Sequence, residues 1–356
     1  MVKRVERTVA RFEPKRVLFL PTGCTLLNLA ISEKDNGGWP LGRVVNIIGD
    51  KSTGKTLLAE EALTNFQRMY PKGKIHYRET EAAFDADYAQ WLGLVIDKVD
   101  FGPEGEDSTW STIEDVFDDL DACLDKVDVD VGAHAKKLRE RNRKLKAADA
   151  LAAARLAVVP SLYIIDSLDG LSSESELGRD IHEGAYNLGK QRIVNELFRH
   201  YRKRIRQAKM CLIIISQTRD RIGPFIHGVK YRRVCGDPLN FYSSIVLYLS
   251  ELGKMTKTID GNKYITGIRV RARCEKNKIV SPHKQCVFTI RFKYGIDDEL
   301  SSFDYLEEKK KLKDAGYDKV PTDLSTVDRE KLRSAVSKVW RNIDQLLAPA
   351  KGKYAA

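Results

Sequence analysis

The residues whose types and spacing suit chemistry most directly are Gly49-Asp50-Lys51-Ser52-Thr53-Gly54-Lys55-Thr56, a G-x4-G-K-T stretch. Gly49 and Gly54 bracket a loop whose backbone N–H groups can converge on phosphate oxygens at a helix N-terminus, where the helix dipole favours negative charge. In such a loop Lys55 reaches the β- and γ-phosphates and the Thr56 hydroxyl ligates Mg²⁺. The motif needs a strand before it and a helix after it. The apolar run Val44-Val45-Asn46-Ile47-Ile48 and the pattern Leu57-Leu58-Ala59-Glu60-Glu61-Ala62-Leu63 supply both.

Three further stretches end apolar runs on polar side chains. Residues 74–81 read as a second strand closing on Glu79 and Glu81, where a carboxylate beside the phosphate loop can orient or deprotonate an attacking water. A pair of solvated acids at a strand end is the plainer reading, and the residues alone leave both open. Residues 160–167 read as a buried strand closing on Asp166, placed to hold Mg²⁺ through water or through the Thr56 hydroxyl. Residues 211–217 form another buried strand, whose terminal Gln217 can sense a γ-phosphate.

The elements between them must set that geometry. Residues 26–31 suggest a short helix before the Gly37-Gly38 turn. Residues 113–127 show apolar spacing at helical period among Asp and Glu, and residues 134–156 read as an additional helix rich in Lys and Arg, open to DNA or to pairing with the acidic helix. Residues 172–190 read as a polar loop and 193–205 as a helix. Residues 218–236 carry Arg219, Arg221, Lys230, Arg232 and Arg233 among Ile222, Phe225 and Tyr231 without periodicity, as in a DNA-contacting loop or a merely flexible one. Residues 241–249, 265–274 and 285–293 are β-rich and predict antiparallel strands around the Asp260-Gly261-Asn262 turn. From about residue 300 the chain is charged and helical.

Composition sets the bounds. The 356 residues suffice for one large or two ordinary domains, and 61 Lys and Arg against 50 Asp and Glu give a net charge of +11, compatible with a polyanionic partner. Six scattered cysteines without a C-x-x-C pair read as reduced thiols of a cytoplasmic protein, and no apolar run approaches membrane-spanning length.

In this order the motifs resemble the RecA recombinase family, nearer its bacterial and phage members, over about residues 20–305. The resemblance rests on Pro21-Thr22-Gly23-Cys24-Thr25-Leu26-Leu27-Asn28, Glu79-Thr80-Glu81-Ala82-Ala83-Phe84-Asp85, Ser216-Gln217-Thr218-Arg219-Asp220-Arg221-Ile222-Gly223 and Lys276-Asn277-Lys278-Ile279-Val280-Ser281-Pro282. It implies an α/β fold: a RecA-like phosphate-loop ATPase core with a mainly parallel sheet extended by antiparallel strands. That core spans 19–305, with an extra basic helical insertion at about 131–158, an N-terminal arm at 1–18 and a small helical C-terminal region at 306–356.

The roles it implies are specific. ATP and Mg²⁺ are the cofactors. Glu81 activates water, Asp85 and Tyr88 lie against adenine, and Gln217 couples the ATP state to a second DNA loop. Arg219 and Arg221 hold the DNA backbone, and Ile222 inserts between base triplets. A first DNA loop spans residues 173–189, flanked by Arg192 and Arg199. Lys276 and Lys278 cross a subunit interface to a neighbour's γ-phosphate. The implied activity is filament formation on single-stranded DNA, homologous pairing with a duplex and strand exchange, in a bacterial or phage-infected cytoplasm. Single-strand-binding and loader proteins are implied partners, and a ring is an alternative assembly. The sequence departs from the family in its short N-terminal arm, its extra basic stretch and Cys235-Gly236-Asp237 in place of a glycine pair. Rival readings are a helicase of the same fold and a non-exchanging accessory ATPase.

Overall fold

A computed structural model describes residues 17–81, 84–102, 110–177, 188–220, 231–232 and 235–349. A two-residue strand, β1 (Phe19–Leu20), leads into helix α1 (Thr25–Ser32), and β1 pairs with β2 (Trp39–Pro40). Then come β3 (Arg43–Gly49), α2 (Lys55–Met69), β4 (Lys74–Glu79) and the short α3 (Ala86–Trp91). Helices α4 (Ile113–Arg141) and α5 (Ala147–Leu156) precede β5 (Ser161–Asp166), the single turn α6 (Glu174–Leu177), α7 (Leu188–Gln207) and β6 (Met210–Gln217). The strand pair β7 (Arg219–Asp220) and β8 (Tyr231–Arg232) is followed by α8 (Gly236–Tyr242). The chain then runs through β9 (Ile245–Ile259), β10 (Asn262–Asn277), β11 (Gln285–Arg291), β12 (Gly295–Asp297), α9 (Asp298–Glu308) and α10 (Arg329–Leu347).

Eight strands form one sheet in the order β12-β11-β10-β9-β3-β6-β5-β4. The five from β9 to β4 are parallel, and β10, β11 and β12 extend them antiparallel. The central parallel strands β3, β5 and β6 are apolar over most of their length because both of their faces are covered. Cys211, Ile213 and Ile215 of β6 enter the core that α1, α2, α9 and α10 share, while Met210, Leu212 and Ile214 enter the core under α4, α7 and α8. Leu332, Val336, Val339 and Trp340 of α10 belong to the first of these cores, where the C-terminal stripe packs against α9 and α1, the helices that cover β11. All six cysteines are buried and free, Cys24, Cys211, Cys274 and Cys286 on one face of the sheet and Cys123 and Cys235 on the other.

Four local expectations change. The acidic and basic helices are not separate at residue 130: α4 runs on to Arg141, and the break falls at 142–146. The apolar positions Val127, Val131 and Ala135 stay in helical phase across the change in charge sign, and Ala150 and Ala154 of α5 pack on them. Residues 236–242 form a helix, so β9 begins at Ile245, and Tyr242 stacks on Phe198 at 5.3 Å. Within the polar stretch 172–190, residues 174–177 and those from 188 onward are helical. The stretch without periodicity after Gln217 begins and ends in the paired strands β7 and β8.

Candidate nucleotide site at the strand ends

Parallel strands β3, β4, β5 and β6 end at Gly49, Glu79, Asp166 and Gln217, so the polar termini singled out in the sequence meet at one edge of the sheet. Two features shape the loop after β3. Ser52 (φ 58°) and Gly54 (φ 84°) take left-handed conformations, and a side chain on Gly54 would meet Ile290 Cδ1 at 2.3 Å. A Cβ on Gly49 would meet Thr53 Oγ1 at 2.6 Å and the Leu249 carbonyl at 2.9 Å, so no larger residue fits without displacing the loop. Thr53 Oγ1 and Lys55 Nζ both donate to the Asp50 carbonyl, at 2.9 and 2.7 Å. Lys55 is buried, which lowers its pKa against the opposing pull of Asp166, Glu81, Asp50 and Asp169.

Asp166 lies at the centre. Its Oδ2 accepts from Thr56 Oγ1 and from the buried Tyr77 hydroxyl, each at 2.8 Å. Burial raises its pKa to about 6 against those two hydrogen bonds, with Glu79 and Glu81 adding to the rise. One carboxylate and one hydroxyl are hard oxygen donors suited to a Mg²⁺ that takes its remaining ligands from phosphates and water. Among the described residues no cluster of three or more His, Cys, Asp or Glu could hold a metal ion. The left-handed loop over Lys55 likewise fits a phosphate chain.

Glu81 is held on two sides. Ser167 Oγ donates to its Oε1, and Gln217 Nε2 donates to Oε1 at 2.8 Å and Oε2 at 3.0 Å. Thr80 binds the Ser167 backbone through both its partners, accepting from the N–H at 3.0 Å and donating to the carbonyl at 2.7 Å. Asp169 accepts the Gln217 N–H at 2.7 Å, and Thr218 Oγ1 donates to the Asp50 carboxylate. Strand β6 is thus tied at its end both to the phosphate loop and to Glu81, just before the segment that leads into 221–230.

Behind Glu79 and Glu81, Arg78 anchors the strand from a fully buried position. Its Nε donates to Asp119 at 2.8 Å, with Nη2 in ion-pair contact with the same carboxylate at 2.7 Å, and it donates to Asp100 through the carbonyl at 2.6 Å and the carboxylate at 3.1 Å. Its guanidinium also lies 5.1 Å from the Trp110 ring and 5.3 Å from Tyr163. Glu60 of α2 is a further buried acid: desolvation above all, then Asp166, Asp85, Glu61 and Glu79, raises its pKa to about 8.

Not every predicted residue joins this edge. Asp85 caps α3, its Oδ1 accepting the Tyr88 N–H at 2.9 Å, and half-buried Tyr88 has its pKa pushed up to about 12 by burial and by Glu60, Glu61 and Asp85. Lys276 and Lys278 lie at the opposite end of the sheet, where Lys276 pairs in register with Val246. There Lys276 Nζ and Lys278 Nζ donate to the Phe241 carbonyl, each at 3.0 Å, and Lys276 also reaches the Asn240 carbonyl. Within one chain both ammonium groups thus bind the end of α8 and not the phosphate loop. Arg192 and Arg199 are exposed two helical turns apart on α7. The backbones of Arg219 and Arg232 pair across β7 and β8, while Arg221, Ile222, Phe225, Lys230 and Arg233 lie outside the described residues.

Sequence reasoning missed Tyr77, Ser167, Asp169, Thr218 and Glu60. Only the parallel register, which sets Glu79 beside Asp166, brings most of them in.

Residues 8–130 and 139–297 match the family model of the RecA N-terminal domain. The chain belongs to the RecA family. It is 28% identical over 287 residues to Protein RecA of Streptomyces ambofaciens, a match that covers 81% of this chain and 64% of that protein. It is 29% identical over 297 residues to Protein RecA of Leifsonia xyli subsp. xyli, covering 83% and 70%. The chain therefore spans just under two thirds of the Streptomyces ambofaciens RecA protein. Among the described residues no helix is long and apolar enough to cross a membrane.

Proposed function

We propose that this RecA-family chain is an ATP- and Mg²⁺-dependent recombinase that assembles on single-stranded DNA, pairs it with a homologous duplex and exchanges strands. The observation that carries the reading is the double hydrogen bond from Gln217 to Glu81. It joins the carboxylate beside the phosphate loop to the end of the strand from which the basic segment departs, so nucleotide state and DNA contact share one bond.

In this reading Lys55 and the loop N–H groups hold the phosphates, and Thr56 with Asp166 holds Mg²⁺, which supplies charge neutralisation at the phosphates when bound. Glu81 takes a proton from the attacking water while Ser167 and Gln217 fix its carboxylate. Asp85 and Tyr88 take the adenine side. Arg192, Arg199, Arg219, Arg221, Lys230, Arg232 and Arg233 contact DNA phosphates, with Ile222 and Phe225 against bases. Lys276 and Lys278, remote from their own chain's loop, act on the nucleotide of a neighbouring copy in a filament.

The test is pairing of a labelled single strand with homologous and heterologous duplexes, with and without ATP, for the wild type, Lys55→Ala and Lys276→Ala. Homology- and ATP-dependent product lost in both variants is expected. ATP hydrolysis without product would reject strand exchange and turn attention to fork unwinding, and normal turnover in Lys55→Ala would reject the site itself.

A further inference from the structure

We propose that the hairpin of α4 and α5 is a docking surface for duplex DNA, separate from the nucleotide edge and from the basic segment after β6. The identity of the polyanion as duplex DNA rests on the proposed function. The surface itself rests on placement and charge.

Helix α4 begins beside Ser172 at the nucleotide end, where Thr112 bridges to that residue. Its 29 residues span about 43 Å at 1.5 Å per residue. Its early buried positions, Ile113 to Leu124, cover the sheet, but from Val131 onward its buried side chains meet only the small core shared with Ala150 and Ala154. The hairpin therefore overshoots the sheet. A cavity lined by Lys74, Asp130, His134 and Ser161 separates its root from the N-terminal ends of β4 and β5, the ends opposite Glu79 and Asp166. The RecA N-terminal domain match passes over residues 131–138 in this same stretch.

Residues 132–157 hold eight lysines and arginines against two acids, a net +6 within a chain of net +11. Lys136, Lys137, Arg139, Arg141, Arg143, Lys144 and Lys146 are all exposed, and among the described residues none is paired with a carboxylate. The acidic face of α4 does not neutralise them. Asp121, Asp125 and Asp128 are taken by Arg204 of α7, and Asp128 also by Arg155. The cost of holding seven like charges on one tip is relieved by phosphates, whose binding releases counterions.

The residue types favour duplex over single strand. Single strands are held largely by bases stacked on aromatic rings, and no Phe, Tyr or Trp occurs between Phe117 and Tyr163. A helical hairpin whose exposed charges are mostly cations instead suits the regular phosphate rows of a double helix, without sequence preference.

The experiment measures binding of a 30-bp DNA duplex and of oligo(dT) without nucleotide, over a range of salt, for three proteins. They are the wild type, a neutral variant (Lys136→Gln, Lys137→Gln, Arg139→Gln, Arg143→Gln) and a charge-conserving variant (Lys136→Arg, Lys137→Arg, Arg139→Lys, Arg143→Lys). The neutral variant is expected to lose duplex affinity roughly tenfold or more, with the log–log salt slope reduced by about 3 to 4, while the charge-conserving variant matches wild type. Unchanged duplex affinity in the neutral variant, an equal loss on oligo(dT), or no duplex binding by the wild type overturns the proposal. ATP hydrolysis stimulated by single-stranded DNA is measured alongside. Its absence from the wild type would reject the proposed function, whereas its loss from the neutral variant alone would place the hairpin in the ATP-linked site and overturn this proposal.

Discussion

Replacing Arg78 by methionine removes the buried cation paired with Asp119 while leaving that carboxylate in place. Three hydrogen bonds to these aspartates go with it, one to Asp119 at 2.8 Å and two to Asp100 at 2.6 and 3.1 Å, together with the 2.7 Å ion pair between Nη2 and Asp119. Removing one partner of a buried pair costs about 3–5 kcal/mol. The Asp100 side chain is half exposed and contributes little of this, so the lower end of that range, about 3 kcal/mol, is expected. Urea unfolding followed by circular dichroism at pH 7 measures it. The double variant Arg78→Met/Asp119→Leu removes both charges, and Tyr163 keeps its bond to the Val116 carbonyl at 3.0 Å. Its stability should return to within about 1 kcal/mol of wild type.

A single-variant loss below about 1 kcal/mol, or a double variant no better than the single one, would refute the reasoning. Acid titration adds a sign. Burial alone would raise the pKa of Asp100, but Arg78 and His76 bring it down to about 2. Its stabilising contribution is therefore present above about pH 4 and fades as the pH falls through 2, and Arg78→Met should lose most of that acid limb.

Two further outcomes are expected. Gln217→Ala should cut DNA-stimulated ATP turnover by about tenfold or more while ATP affinity stays within about threefold, because it removes one of the two holds on Glu81 without touching the phosphate loop; steady-state kinetics and nucleotide titration separate the two, and an equal loss in both would make Gln217 a merely structural residue. Glu60, with its folded pKa raised to about 8, keeps its proton at neutral pH, so its contribution to stability should fall from about pH 4.5 up to about 8 with a slope of at most about 1.4 kcal/mol per pH unit. Glu60→Gln should remove that slope, and parallel stability profiles for the two proteins would show that the carboxyl titrates normally.

The strands β3, β5 and β6 were legible because burial on both faces leaves a continuous apolar run, and the phosphate loop because its glycines sit where no Cβ fits. Helix α4 looks like two helices at the point where its charge changes sign, although its apolar phase continues. Phe241 and Tyr242 look β-forming, yet burial of Tyr242 against Phe198 holds them in α8. Tertiary packing overrode local preference there. The site's wiring was hidden for another reason. Tyr77 meets Asp166 across 89 residues and Gln217 meets Glu81 across 136, and such partners follow from strand register, which no local pattern encodes.

The distribution of the six buried thiols gives the protein an internal recorder. Each is buried in the native state, Cys123 beside the cavity at the root of the α4–α5 hairpin, and burial holds every one of the five besides Cys24 above the usual thiol range, as it does Cys24 together with the charge of Asp298. Reaction therefore waits for opening. Because four thiols belong to the face under α1, α2, α9 and α10 and two to the face under α4, α7 and α8, the order in which alkylated masses accumulate would report which side of the sheet lets go first.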